Sequence, residues 1–287
     1  MHGSRMLWSN AVISVAAAGC VLRSWLLSHP SESGASVPWM FAAGIGAATW
    51  LAYTWQRHVK STRPGGLRSD HLAWLLSHKK TLRWIAVLLI PTALAPLIQT
   101  AATAEATMST ALLLVFGLGA AGLLTLLYAG LPGIRGVQLA LRRMPRFKLL
   151  WIGLTWSIIT ALWPALLGAG NASFERGTLV LIAAERALVI MALTLPFDLR
   201  DRNWDPASMK TLPQLWGTKG TRITAVAMLL AAAGASTVAS AGNLAFAIGP
   251  LIMVPAVACA HERRSPWYFA MLDAALIADA ALVMAWA

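Results

Sequence analysis

Three of the chain's 11 acidic residues fall within eight positions, Asp198, Asp201 and Asp205, in the stretch Phe197-Asp-Leu-Arg-Asp-Arg-Asn-Trp-Asp205. Spacings of three and four place side chains on roughly one face if a helix runs through them. Three like charges this close repel one another and require compensating cations. One reading is a divalent-metal site. Mg²⁺ takes carboxylate oxygens, shares its shell with water and substrate phosphates, and so placed would hold a diphosphate and help it leave. The other reading is a solvated helix end, with Arg200 and Arg202 in local salt bridges. Spacing alone leaves both open.

The elements that must position these groups follow from composition. Hydrophobic residues make up 58% of the 287 positions and charged residues only 12%, against about 25% charged in a soluble domain. So few charges cannot cover a soluble surface, which excludes a cytosolic enzyme, a disordered chain, a coiled coil and a collagen-like fibre. A helix needs about 20 apolar residues to cross the hydrocarbon core. Nine such segments are legible: Met6–Leu27, Val37–Gln56, Leu82–Gln99, Ser109–Ala129, Leu149–Leu167, Thr178–Phe197, Ile223–Ser240, Leu244–Ala260 and Tyr268–Trp286. The third contains Pro91 and Pro96 and is expected to kink or break. The seventh and eighth are joined tightly through Ser240–Asn243. The first lacks a small-x-small cleavage site and reads as a retained helix. The expected fold is all-α, a polytopic nine-transmembrane-helix bundle forming a single domain over residues 1–287.

The basic residues orient it. All but Arg23, Arg176 and Arg186 of the 23 lysines and arginines lie before the first segment or in alternate loops, 57–83, 131–148, 198–222 and 261–267. The intervening loops are almost free of them. Lys and Arg collect on the cytoplasmic side, so the N-terminus is expected inside and the C-terminus outside, by default in a bacterial inner membrane. The net charge of +12 is thereby accounted for without nucleic acid. Cys20 and Cys259, both within apolar runs, are expected to be two buried thiols. Small residues such as Gly44, Gly46 and Ala47 imply close helix contact.

The residues after the aspartates carry a resemblance. The stretch continues into Lys210-Thr-Leu-Pro213 and then Gly217, and the whole is similar to the second aspartate-rich motif of the UbiA superfamily of intramembrane prenyltransferases, which follows that family's sixth helix on the cytoplasmic side. The span count and orientation agree with it. The resemblance implies that Asp198, Asp201 and Asp205 hold Mg²⁺ and a prenyl diphosphate. It also implies that Lys210 and Arg57 contact phosphate oxygens and that the prenyl group passes to an apolar or aromatic acceptor. The family's first motif is not kept. At the end of the second segment Ala52, Gln56 and Lys60 stand where the family has Asn, Asp and Asp, followed by Arg63-Pro64. Tyr53, Gln56, Arg57, Lys60, Arg63 and Trp204 are the expected substrate-binding residues. Two accounts of the inverted charge stay open. The basic side clamps phosphate while the acidic side carries a single metal, or Lys60 or Arg57 pairs with Asp201 or Asp205 and closes the metal site.

Other polar residues lie inside the spans. Glu185 and Arg186 are adjacent and must each find a partner on a neighbouring helix. Arg23 is expected to snorkel toward the outer interface. Asp273 and Asp279 are functional suspects as intramembrane carboxylates, with pairing to Arg186 as the plain alternative. Asn10 is expected to bond across helices or to reach a head group. Two rivals follow: a non-catalytic isoprenoid or lipid binder on the same frame, and a secondary transporter built on Glu185, Asp273 and Asp279.

Overall fold

The computed structural model describes residues 10–29, 38–62, 67, 69–102, 116–117, 119–120, 122–123, 125, 147–168, 176–203, 207 and 210–286. In chain order the helices are α1 (Ala11–Ser28), α2 (Trp39–Ser61), α3 (Ser69–Ser77), α4 (Lys79–Ala102) and α5 (Lys148–Ser157). A π-helical turn at Ile158–Leu162 leads into α6 (Trp163–Gly168), followed by α7 (Arg176–Arg200), α8 (Leu212–Ala239), α9 (Ala245–Ala258) and α10 (Pro266–Trp286). Among the described residues, eight of the nine expected segments are helical where expected. The fourth, Ser109–Ala129, lies mostly outside the described residues.

Among the described residues, five helical stretches are long and apolar enough to cross a membrane: Ala11–Ser28, Lys148–Leu166, Arg176–Arg200, Leu212–Ala239 and Pro266–Trp286. The apolar α9 is shorter. Large apolar side chains such as Leu88, Val180, Ile223 and Val238 point outward, as they do where lipid is the solvent. Trp39, Trp84, Trp267 and Trp286, exposed near helix ends, fit the interfacial tryptophan pattern. The protein is an all-α, multi-helix membrane protein.

Helix α1 is the hub. It packs on α2 and α10 along its length and touches α6, α7 and the π-helical turn. Its residues enter all three apolar clusters: Ala16 and Cys20 in the largest, Ala17, Val21 and Leu22 in the second, Leu27 in the third. Small residues allow this crowding. A Cβ on Gly19 would lie 3.1 Å from that of Ala280, and one on Gly46 would lie 2.9 Å from the Ser14 carbonyl. A Cβ on Gly44 would overlap the Pro96 ring. That contact bears on the expected break in the third span. Helix α4 runs through Pro91 and Pro96, and its Pro96 ring occupies the space Gly44 leaves.

Several expectations are corrected. Arg23 does not snorkel. It is fully buried, with its guanidinium 3.0 Å from Glu185 and 2.8 Å from Asp279. It also donates to Ser236 Oγ at 3.2 Å and to the Phe246 carbonyl at 2.8 Å. Two carboxylates and two neutral acceptors hold it more firmly than the distant interface would. Asp279 therefore pairs with Arg23, not Arg186. Arg186, also fully buried, donates to Cys20 Sγ at 3.1 Å and Ser24 Oγ at 3.4 Å, with Glu185 at 3.9 Å. Two cations and two anions thus close a neutral knot joining α1, α7, α8, α9 and α10. Cys20 is buried as expected, but Cys259, at the C-terminal cap of α9, is exposed. Asn10 takes the cross-helix role, donating to Thr54 Oγ1 at 3.0 Å.

Removing one member of a buried ion pair leaves an uncompensated charge. Arg23→Met is expected to destabilise the fold by about 3–5 kcal/mol, seen as a lowered unfolding midpoint in detergent. Arg23→Lys should not restore it, because an ammonium cannot reproduce the four-partner guanidinium geometry. Gly249→Ala should damage the same knot from the other side, because a Cβ there would overlap the Asp279 carboxylate, at a cost of about 1–3 kcal/mol.

Candidate functional site

The knot lies toward one end of the bundle, and the aspartate stretch lies at the other, where the basic loops are. Pro196 sits inside α7, which nonetheless continues to Arg200, and the Asp201 N–H still donates to the Phe197 carbonyl at 3.0 Å. Asp198 is therefore helical and Asp201 occupies the turn that follows, so the two carboxylates meet different surroundings. Asp198 is buried at 4% exposure, and its carboxylate lies 2.6 Å from the Lys148 ammonium. Lys148 opens α5 and is itself buried. Burial and the positive end of the helix dipole both oppose an ammonium there, and Asp198 offsets both.

Asp201 is half-exposed and is gripped by the Arg200 fork, Nε to Oδ1 at 2.8 Å and Nη2 to Oδ2 at 3.1 Å. The Arg200 guanidinium also lies 4.7 Å from the Phe269 ring centre and 5.5 Å from that of Phe197, distances at which a cation is attracted by the ring faces. Asp273, one turn along α10 from Phe269, lies within electrostatic reach of Arg200 and of Arg57. Arg57 in turn senses Tyr53 on its own helix. The ends of α2 and α7 and the first turns of α10 thus come within electrostatic reach of one another, a charged layer beside the Phe197 and Phe269 rings.

The expected site residues sort as follows. Asp198 and Asp201 share the end of α7, while Arg57 and Tyr53 reach the same layer from α2. Gln56 and Lys60 lie half-buried on the last turns of α2. Lys210 is brought elsewhere. It is exposed, has φ 47°, and lines an open depression with Arg202, Asn203, Ala207, Gln214 and Leu215. Arg202 bonds Glu262 at 3.3 Å, tying the loop after α7 to the one before α10. Gly217, part of the resemblance, has φ 64° and marks a kink inside α8, a conformation glycine adopts without penalty. Arg63, Trp204 and Asp205 lie outside the described residues.

Lys148 is the residue that sequence reasoning passed over. It counted only as one more loop charge. The signal available was a lysine at the first residue of an apolar segment, where the helix dipole disfavours it and a carboxylate partner must be sought.

The fit of this layer to a divalent metal can be judged from its donors. Mg²⁺ needs carboxylate oxygens in near-octahedral array. Asp198 is held by an ammonium and Asp201 by a guanidinium, while positions 56 and 60 bring an amide and a second ammonium. Among the described residues, no three of His, Cys, Asp and Glu come together as a metal-holding group. The described residues do not fit the ion. Of the three intramembrane carboxylates that suggested a transporter, Glu185 and Asp279 are bound into the Arg23 knot.

No protein-family model matches the chain, and no curated protein matches it by sequence. Solved structures do. The apo structure of a UbiA homolog from Aeropyrum pernix K1 superposes with a TM-score of 0.65 at 17% identity, covering 95% of this chain and 97% of that one. The structure of a UbiA homolog from Archaeoglobus fulgidus bound to GPP and Mg²⁺ superposes with a TM-score of 0.54 at 13% identity, covering 97% and 99%. At these identities the likeness concerns the fold, which this chain shares across nearly its whole length.

The Lys148–Asp198 pair has a measurable signature. Lys148→Met and Asp198→Asn are each expected to destabilise the protein, the former by about 3–5 kcal/mol. The double variant should recover part of the loss, giving a coupling energy of about 1–3 kcal/mol in a double-mutant cycle read by thermal unfolding.

Proposed function

We propose that this protein is a UbiA-type intramembrane prenyltransferase, moving a prenyl group from a prenyl diphosphate to an apolar or aromatic acceptor. The observation that carries the reading is the convergence of the α2 and α7 ends at the basic end of a UbiA fold, a fold whose Archaeoglobus fulgidus representative binds GPP. In this reading all nine segments span the membrane, with the N-terminus and the basic end cytoplasmic, by default in a bacterial inner membrane. Membrane lipids surround the outward apolar faces.

The chemistry follows from the side chains present. In this reading the diphosphate contacts Arg57, Lys60 and Lys148, and Asp205 and Arg63 are further candidates for that role. Tyr53 borders the prenyl chain, with Trp204 as a further candidate. As the bond between the allylic carbon and the bridging oxygen breaks, its electron pair leaves with the diphosphate, and the neighbouring cations stabilise the growing negative charge. The allylic cation left behind meets aromatic faces in a setting that excludes water. An electron-rich acceptor atom bonds to that carbon, and the acceptor's proton passes to the departing diphosphate. The Archaeoglobus protein carries Mg²⁺ with its ligand. Asp198 and Asp201 are here each paired with a fixed cation, so in this reading the stabilising charge comes from the chain's own groups.

Purified protein in detergent, given GPP and a panel of phenolic acceptors, is expected to release diphosphate and form a prenylated product. Arg57→Ala should lower that release by about 10–100-fold, the loss typical of one charge-stabilising donor. Binding of GPP without any release would favour the non-catalytic binder. Absence of both in well-folded protein would end the prenyltransferase reading.

A further inference from the structure

Beyond its kink at Gly217, α8 carries Lys219, Ile223, Val226 and Leu230 at spacings of four, three and four, which share one face. Lys219 is exposed, and Ile223 and Leu230 are 59% and 52% exposed. Where this face meets α9, Arg222, Ile223, Val226, Ala227, Leu230 and Ala258 line an open groove of about 390 Å³. The lining is apolar except for Arg222, and Leu230 lies about 12 Å further along the helix at 1.5 Å per residue. Ala227 and Ala258 leave the space that longer side chains would fill. Arg222 donates from Nε to the Ala260 carbonyl at 2.6 Å, and Arg264 donates from Nε and Nη2 to the Cys259 carbonyl at 3.0 and 2.9 Å. These carbonyls end α9 and need partners. Both arginines lie within electrostatic reach of Tyr268, and the Arg264 guanidinium is 5.6 Å from that ring's centre. The two guanidinium groups therefore share one corner, where α8, α9 and α10 meet. A guanidinium has five N–H donors, and capping uses one from Arg222 and two from Arg264. Among the described residues neither makes an ion pair, and Glu262, the acid closest to Arg264 in sequence, is held by Arg202 at 3.3 Å. Trp267, exposed in the first turn of α10, fits a position at the membrane interface, the level at which lipid head groups begin.

We propose that this corner binds an anionic phospholipid of the surrounding membrane, its phosphate on Arg222 and Arg264 and an acyl chain along the α8–α9 groove toward Leu230. The outer faces of these helices have lipid as their solvent, so the ligand is always at hand. Guanidinium forks match phosphate oxygens in geometry and charge, and basic pockets between spanning helices take lipid head groups for that reason. The groove and the arginines call for different halves of one molecule. A free phosphate would meet the arginines and leave the groove open, and a detergent tail would fill the groove and leave the arginines without an anion. A zwitterionic lipid offers the same phosphate together with a cationic group, which Lys219 and the two arginines repel. The net anionic head group is therefore preferred. This lipid site does not depend on how the ends of α2 and α7 treat a prenyl diphosphate.

The test is a titration of the purified full chain in neutral detergent with phosphatidylglycerol or phosphatidylcholine of matched chain length, occupancy being read by native mass spectrometry. Phosphatidylglycerol is expected to bind at one site about 10-fold or more tightly than phosphatidylcholine, the preference that two basic side chains supply. The Arg222→Gln, Arg264→Gln double variant should lose that preference, while Lys80→Gln, an exposed charge on α4, should keep it. Because the double variant also loses two helix caps, Ala227→Phe gives a second reading. It fills the groove from an exposed position and leaves both arginines in place, and it should weaken phosphatidylglycerol binding by about 10-fold. Equal affinity for the two lipids, or a preference that survives in the double variant, would overturn the head-group site. Unchanged lipid binding by Ala227→Phe would overturn the groove as the seat of the acyl chain. If light scattering showed a dimer that Ala227→Phe converts to monomer with lipid binding intact, the groove would belong to a second copy and the proposal would fall.

Discussion

A charge buried in an apolar interior must meet its opposite there. Arg23 lies on α1, the helix that every apolar cluster shares, and it has no water to turn to. Glu185 from α7 and Asp279 from α10 close on it, Ser236 and the Phe246 carbonyl complete its shell, and Arg186 balances the count. No two neighbouring helices could supply that set. The knot therefore specifies which helices meet and in what register, which apolar contacts among interchangeable Leu, Val and Ala side chains cannot do. Gly249 exists in that register because the Asp279 carboxylate occupies the space a Cβ would need.

With one end of the bundle neutralised and closed, the other is free to be polar. There the same rule operates with a different outcome. Asp198 pairs with Lys148 and Asp201 with Arg200, and Asp273 lies within electrostatic reach of Arg57 and Arg200. The layer lies at the helix ends. The knot holds helices together, and the layer gathers charged groups at their ends. Phe197 and Phe269 join the two functions, since Arg200 rests on both rings while the rings themselves pack into the main apolar cluster.

Much of this was legible in the chain. Helix length and the tight Ser240–Asn243 turn were legible, because lipid leaves a helix few alternatives, although the helix expected from Ile223 begins at Leu212 and kinks at Gly217. The aspartate stretch and the altered motif around Gln56 and Lys60 lie at the ends of α7 and α2. What escaped was pairing. Arg23, Glu185 and Asp279 are separated by more than ninety residues from one another, and nothing in spacing says that they meet. Lys148 hid among loop lysines and arginines for the same reason. Arg23 was expected to snorkel because its position near a helix end is known from sequence, while its partners are known only from the fold. The exposure of Cys259 reflects the early end of α9, a boundary set by the turn that follows. Position along one helix is a local property, whereas charge compensation is a property of the assembled bundle.

The most direct test of the account is an experimental structure of the protein with GPP bound. The account predicts diphosphate density at the basic end, between the end of α2 and the end of α7, within contact of Lys148 and Arg57, with the prenyl chain running toward the aromatic rings. Density at any other place on the bundle, or a saturating ligand that leaves this layer untouched, would contradict it.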